Sequence, residues 1–372
     1  MKLPEFDLVD IRILECLYRS TNLSEIARRV GVTDETVRRR VRKLYKYGRV
    51  TVEPDYFAMG LSYGIYLSEN QPQDLPIKAS LLRRCYVLSV TRLISPEGPR
   101  SLFVLVPPIH LEGEILSIIK SLFGTGTYLP LLNPIKWRPS SKYFDAESRE
   151  YICPWDKIER TLISKSPIFD IFDQRLIPQI LDEVDLEIIK ELHKDALTPL
   201  AEVARMLGTY PQKVWYHYIN HVKPIIRHYD INMTFTSLEE NPLSLYRIDF
   251  MNIQYMMHFV SVMLENIHIR VMIPFRYRPS MLMLVQMPYN ELLPFVDLLG
   301  KLKAHRKIRH FKYEGFIDSR YIQAFTIPHG SEVFKNGKWI LSEELLDILQ
   351  SLRPRARGME LERSLDPLDE SK

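Results

Sequence analysis

Apolar positions in the first fifty residues recur at helical spacing in three separate runs. Ile13, Leu14 and Leu17 form one stripe, with Arg12, Glu15 and Arg19 opposite, and predict a helix over residues 6–20. Asp7 can cap this helix, and Asp10 falls three residues later. Ile26, Ala27 and Val30 mark a short second helix over 24–30. Gly31 follows, placed for a tight turn because glycine accepts positive φ without a Cβ clash. Thr33 suits the N-cap of a third helix, whose first turn holds Asp34 and Glu35 and whose buried stripe is Val37, Val41 and Leu44. Gly48 to Val52 then reads as a stop and a β-prone wing. The sum is a winged helix-turn-helix.

After residue 60 the pattern changes to short apolar strands between amphipathic helices. Strands are expected at 62–68, 87–94, 102–106 and 128–137, and helices at 75–84 and 111–123. The turn Ser95-Pro96-Glu97-Gly98-Pro99 separates two of the strands, and Pro107-Pro108 stops a third. This βαββαβ order is ferredoxin-like. Residues 143–165 add a hairpin-like run and a helix over 155–163, and 164–180 read as a connector.

The pattern then starts again. Leu181 to Ile189 restates Phe6 to Leu14, with Asp182 and Asp185 matching Asp7 and Asp10, and Leu200 to Gly208 restates Leu23 to Gly31. A second βαββαβ run follows, then a hairpin over 333–339 and a helix over 342–352. One repetition of so long a period is a fused pair of domains and not a solenoid. The expected class is therefore α+β, a tandem duplication of a winged helix-turn-helix followed by a ferredoxin-like βαββαβ domain. The expected divisions are winged helix 1 at 1–55, ferredoxin-like domain 1 at 60–139, an extension and linker at 140–180, a divergent winged helix 2 at 181–230, ferredoxin-like domain 2 at 243–317, an extension at 318–352 and a flexible tail at 353–372.

Composition limits the chemistry. The 372 residues are 46% hydrophobic and 26% charged, ordinary values for a soluble globular protein, and the net charge is only +4. The basic stretch near residue 40 is therefore a local feature. No apolar run is long enough to span a bilayer, and the first residues lack a signal-peptide core. Three scattered cysteines, Cys16, Cys85 and Cys153, suggest reduced thiols and a cytoplasmic setting. The chain has only 14 glycines and none of the GxGxxG, GxxxxGK[ST] or GxSxG patterns.

The third helix carries the sharpest functional signal. Solvated faces usually mix signs, but here the acids stop at Glu35 and the bases run on. Such a helix suits the major groove of double-stranded DNA. Arg28, Arg29, Arg42, Lys43 and Lys46 are expected on phosphates, and Glu35, Thr36, Arg38 and Arg39 at base edges. The second copy differs, with Trp215, Tyr216, His217, Ile219 and Asn220 replacing the arginines. Its aromatics read as core or interface, with a slight preference for that reading; alternatively Gln212, Lys213, Tyr216, His217 and Asn220 make neutral hydrogen bonds to DNA. His217 and His221 at i, i+4 have no evident third ligand, so no metal is expected. No cofactor is expected either.

Residues 6–61 resemble the DNA-binding domain of the leucine-responsive (Lrp/AsnC) regulators, through Asp7, Asp10, Ile13-Leu14, Leu17, the run from Ser24 to Thr33, Val37, Arg40-Val41, Leu44, Gly48 and Gly60-Leu61. The resemblance implies a ferredoxin-like dimerising and effector-binding domain after the helix-turn-helix, and a small-molecule effector as partner. It implies a homodimer or, with two units in one chain, an intramolecular pseudo-dimer. Lrp/AsnC folds also resemble the siroheme decarboxylases, but that family's histidine signature is missing where Ser89-Val90-Thr91-Arg92 and Arg270-Val271-Met272-Ile273 stand. The leading expectation is a DNA-binding transcription regulator that is not an enzyme. The alternatives are an architectural, chromatin-type or transcription-machinery factor and, more remotely, a siroheme-decarboxylase-like enzyme.

Overall fold

The computed structural model describes residues 3, 5–70, 79–164 and 179–352. The expected connector and the expected tail lie almost wholly outside the described residues, as does most of the first half of the helix expected at 75–84.

The first unit opens with helix α1 (Leu8–Leu17), where Asp7 and Asp10 exchange backbone-to-carboxylate hydrogen bonds in a capping box. Helix α2 (Leu23–Val30) is capped by Asn22 and ends at Gly31, whose φ is 80°. Helix α3 (Asp34–Leu44) starts at Thr33, whose side chain accepts the Thr36 N–H. Ile13, Leu14, Leu17, Ile26, Ala27, Val37, Val41 and Leu44 close together as its core. Strand β1 (Gly48–Pro54) leads to the ferredoxin-like part: β2 (Tyr63–Ser68), α4 (Ala79–Arg84), β3 (Val87–Ser95), β4 (Gly98–Leu105), α5 (Glu112–Phe123) and β5 (Gly126–Leu131). The single strand expected over 128–137 is in fact split. A short β6 (Ile135–Lys136) leaves the first sheet, and Asn133 at the break accepts the Tyr56 N–H and donates to Asp55. The extension is β7 (Phe144–Asp145), β8 (Glu150–Tyr151) and α6 (Trp155–Ser164).

The second unit repeats the sequence of elements. Helix α7 (Glu183–Lys194) starts at the matching capping box of Asp182 and Asp185, followed by α8 (Leu200–Met206) and α9 (Pro211–His217). Helix α9 runs on into a π-helical turn at Tyr218–Val222 that α3 lacks. Then come β9 (Ile226–Met233), β10 (Ser244–Phe250), α10 (Ile253–Met263), β11 (Ile269–Pro274), β12 (Ser280–Val285), α11 (Tyr289–Ala304) and β13 (Ile308–Ala324), with β14 (Phe334–Lys335), β15 (Lys338–Trp339) and α12 (Glu343–Leu352) as the extension.

Strand orders β5-β2-β4-β3 and β13-β10-β12-β11 are each ferredoxin-like, and the two are joined into one nine-stranded sheet with β6 at its edge. The joint is β3 against β13. Strand β13 runs past the expected domain boundary at 317 to Ala324, because its second part pairs with the first unit. Leu131 bridges Phe275, so the sheet curls until its ends meet.

The wing strands also cross over: β1 pairs antiparallel with β9 of the other unit, from Gly48 opposite Met233 to Pro54 opposite Ile226. At both crossings a glycine permits the backbones to touch. A Cβ on Gly48 would collide with the Asn232 carbonyl, and one on Gly315 with that of Ile94. The extensions are exchanged too: α6 packs on α10 and α11, and α12 on α5. The pseudo-dimer is therefore made within one chain. Among the described residues no helix is long and apolar enough to cross a membrane.

Candidate nucleic-acid interface and inner cavity

Burial of Val37, Val41 and Leu44 fixes which face of α3 meets solvent. Glu35, Arg38, Arg39, Arg42 and Lys46 are exposed there, with Thr36 half-buried at the N-terminus. Arg28 and Arg29 are exposed on α2. The bases differ in what already holds them. Arg29 donates to Glu25 at 2.6 Å, and Arg42 stands 4.0 Å from Glu35 in a wide-open pair of little strength. Among the described residues, the side chains of Arg28, Arg38, Arg39 and Lys46 make no ion pair or hydrogen bond. Thr36 shares its hydroxyl with Thr33 at 2.9 Å.

Lys43 must be withdrawn from the phosphate contacts. Its ammonium lies 2.9 Å from the fully buried Asp10 carboxylate and also donates to the Glu5 carbonyl. Arg40 grips the same carboxylate at 2.8 Å and Asp7 at 2.7 Å. These two cations neutralise a buried acid and clamp α3 to α1; leaving that charge unpaired would be costly.

The second copy keeps the clamp and changes its chemistry. His217, expected to face DNA, is buried, with Nδ1 2.9 Å from Asp185 Oδ1. It is unable to reach a base, because its ring is turned inward by the capping carboxylate. His221 comes within 3.1 Å of the same group, so the structure supplies the third partner that the two histidines lacked in sequence. The preferred core or interface reading of the aromatics is also corrected. Trp215 and Tyr216 are each 58% exposed, because Val214, His217 and Val222 already fill the inward positions. Gln212 and Lys213 are exposed beside Tyr216. The face of α9 is aromatic with one lysine, and offers little to phosphate.

A second feature was not foreseen. Between the two halves of the curled sheet lies a cavity of about 340 Å³. Its walls are apolar, with Ile65, Leu102 and Val104 from one unit and Leu245, Ile273 and Leu284 from the other. One end is polar. There Lys136 Nζ lies 3.4 Å from Asp230 and 3.7 Å from Glu53, with His193 also in the lining. Glu53 is 4% exposed, and among the described residues its Oε1 has no hydrogen-bond partner. Burial pushes its carboxyl up to about 7, Lys136 opposing and Asp230 assisting. Burial lowers the His193 imidazole to about 4. Burial opposes the charge on Lys136, but Asp230 and Glu53 hold its ammonium above the usual range. The one sequence hint was a lone lysine in the apolar stretch Ile135-Lys136-Trp137; its partners come from three distant segments.

The family model of the AsnC-type helix-turn-helix domain matches residues 6–45 and again 181–216. The chain carries this domain twice. Two solved structures share the whole architecture. Siroheme decarboxylase NirDL, alone and in co-complex with an iron-uroporphyrin III analogue, matches over 92% of this chain at 12% identity and a TM-score of 0.53, covering 99% and 98% of the respective chains. At that identity the likeness shows the fold. No curated protein sequence matches. The expectation of a chain that is not an enzyme is overturned here: the same duplicated fold, end to end, is that of an enzyme, so the architecture gives no ground for excluding catalysis.

Proposed function

We propose that the protein is a DNA-binding transcription regulator that reads the major groove with α3. The observation that carries this is the set of unpaired, exposed bases Arg28, Arg38, Arg39 and Lys46 around a helix-turn-helix of AsnC type. Arg38 and Arg39 face base edges; Arg28, Lys46 and the loosely held Arg42 meet phosphates, with Arg29 released from Glu25 on contact. Gln212, Lys213 and Tyr216 give the second unit a weaker, mostly neutral contact. The cavity takes a small, largely apolar effector with one polar end. The unpaired cysteines suit a reducing cytoplasm. Fluorescence anisotropy on genomic fragments and random duplex at several salt concentrations tests the reading. Selective binding lost in Arg38→Ala/Arg39→Ala supports it; equal affinity for both DNAs makes the protein architectural; no binding removes it.

The cavity favours a second reading, catalysis on a small carboxylate. Glu53 is poised near neutrality and bears an unbonded oxygen, as suits a general acid. In a decarboxylation the C–C bond to the carboxylate breaks, carbon dioxide leaves, and the carbon takes the Glu53 proton. The lining fits a macrocycle with many carboxylates poorly: its one cation is Lys136, set against Glu53 and Asp230, while burial keeps His193 neutral. Carbon dioxide release from a panel of small carboxylic acids, abolished in Glu53→Gln, tests this reading.

A further inference from the structure

The clamp of the second helix-turn-helix is built from metal-ligating groups. In the first unit the buried Asp10 is neutralised by Arg40 and Lys43, cations that need no ligand. At the matching place Asp185, with no exposed side-chain surface, meets two imidazoles. Both present Nδ1 to it: His217 at 2.9 Å from Oδ1, His221 at 3.2 Å from Oδ1 and 3.1 Å from Oδ2. In a tetrahedral zinc site with bonds of about 2.0–2.1 Å, ligand atoms stand about 3.3 Å apart. Both carboxylate–imidazole edges are thus close to the spacing of such a site, and the ligand atoms of all three groups lie within 4.8 Å of one another.

The surroundings fit as well. Asp185 Oδ2 accepts the Asp182 N–H at 2.9 Å, which fixes the carboxylate's direction as an outer-shell bond does. Asp182 Oδ2 lies 3.6 Å from His217 Nδ1, near enough to orient a bound water or to close the site as a fourth ligand. Tyr216 packs against both imidazoles and shields one side. His221 remains 32% exposed, which leaves a way in from solvent. The π-helical turn, absent from α3, is what brings His221 round to Asp185.

We propose that Asp185, His217 and His221 bind a divalent transition metal of the zinc class, which clamps α9 to α7. Two imidazoles and one carboxylate select Zn²⁺, Co²⁺ or Ni²⁺ over Ca²⁺ or Mg²⁺. Occupancy would fix the pose of the exposed Trp215 and Tyr216 face, independently of what α3 binds.

The test is a Co²⁺ titration of the chelator-treated full chain, followed by visible absorption and thermal unfolding. One equivalent should produce ligand-field bands, displaced by Zn²⁺, and should raise the unfolding midpoint. His221→Ala should weaken Co²⁺ binding at least about tenfold. The double variant His217→Arg/His221→Lys, which restores the clamp of the first unit, should keep the midpoint of the metal-free protein or better and lose the bands. If His221→Ala fails to fold, the double variant decides. A folded wild type that shows neither bands nor a metal-dependent midpoint overturns the proposal. So do bands that persist in the double variant, which would place the metal elsewhere.

Discussion

Arg39 and Arg40 are neighbours in the basic run, yet one faces solvent and the other a buried carboxylate. Arg39 stands in solvent, on the face of α3 that we propose meets DNA. Arg40 turns inward and holds Asp10 at 2.8 Å. Arg39→Ala should therefore lower DNA affinity and relax base choice by about 1–3 kcal/mol, while Lys46→Ala should weaken all sequences alike and reduce the salt slope by about one. Both should unfold at the wild-type midpoint. Anisotropy titrations against cognate and random duplex separate these outcomes; identical binding by both variants would mean that α3 does not face DNA.

Arg40→Ala should do the reverse. It leaves the buried Asp10 with Lys43 as its remaining cation, beside the Asp7 N–H, and the unmade hydrogen bonds should cost about 1–3 kcal/mol of stability. Urea unfolding measures this directly. An unchanged midpoint with lost DNA binding would place Arg40 on the wrong side of the helix.

Glu53 should make stability depend on pH. Its carboxyl titrates at about 7 in the fold, well above the usual glutamate range. The folded state binds this proton more tightly than the unfolded chain, so the contribution is full below about pH 4.5 and is lost as pH rises through 7. Glu53→Gln, which imitates the protonated form, should gain on wild type by up to about 3 kcal/mol over that window and stay level above it. His193 and His228, lowered by burial to about 4 and about 3, impose the opposite slope below pH 6.5 in both proteins and drop out of the difference. Chemical denaturation at a series of pH values shows it; a flat difference would mean that Glu53 is solvated.

Gly48→Ala should loosen the β1–β9 ribbon by about 1–3 kcal/mol, since φ is +156° and the new methyl meets the Asn232 carbonyl. Gly113→Ala is the control. It lies in α5 with open space around it and should gain about 0.5–1 kcal/mol. Thermal melts of the two variants should move in opposite directions.

What was legible in the sequence was local. The capping boxes of Asp7 with Asp10 and Asp182 with Asp185 follow from a three-residue spacing, and the stripe Val37, Val41, Leu44 from helical period. Internal duplication was legible because both copies kept those local signals. Long-range pairing was not. Nothing near Lys43 marks it as the partner of Asp10, thirty-three residues away. The Glu53–Lys136–Asp230 group joins strands β1, β6 and β9, and no periodicity links them. The run of β13 past the expected boundary at 317 was hidden because it depends on a neighbour supplied by the other unit.

The exchanged extensions carry a last consequence. Separate copies of such a unit would have to meet in solution before α6 and α12 found their seats, and dilution would part them. Tied in one chain, they meet at an effective concentration of order millimolar, and neither half can trade its partner for another. Twin subunits must also change in step, since one gene writes both. Here the two halves are free to differ, and they do: α3 is arginine-rich and the matching helix aromatic. On the proposed reading, the DNA such a molecule suits is a lopsided site, not a palindrome.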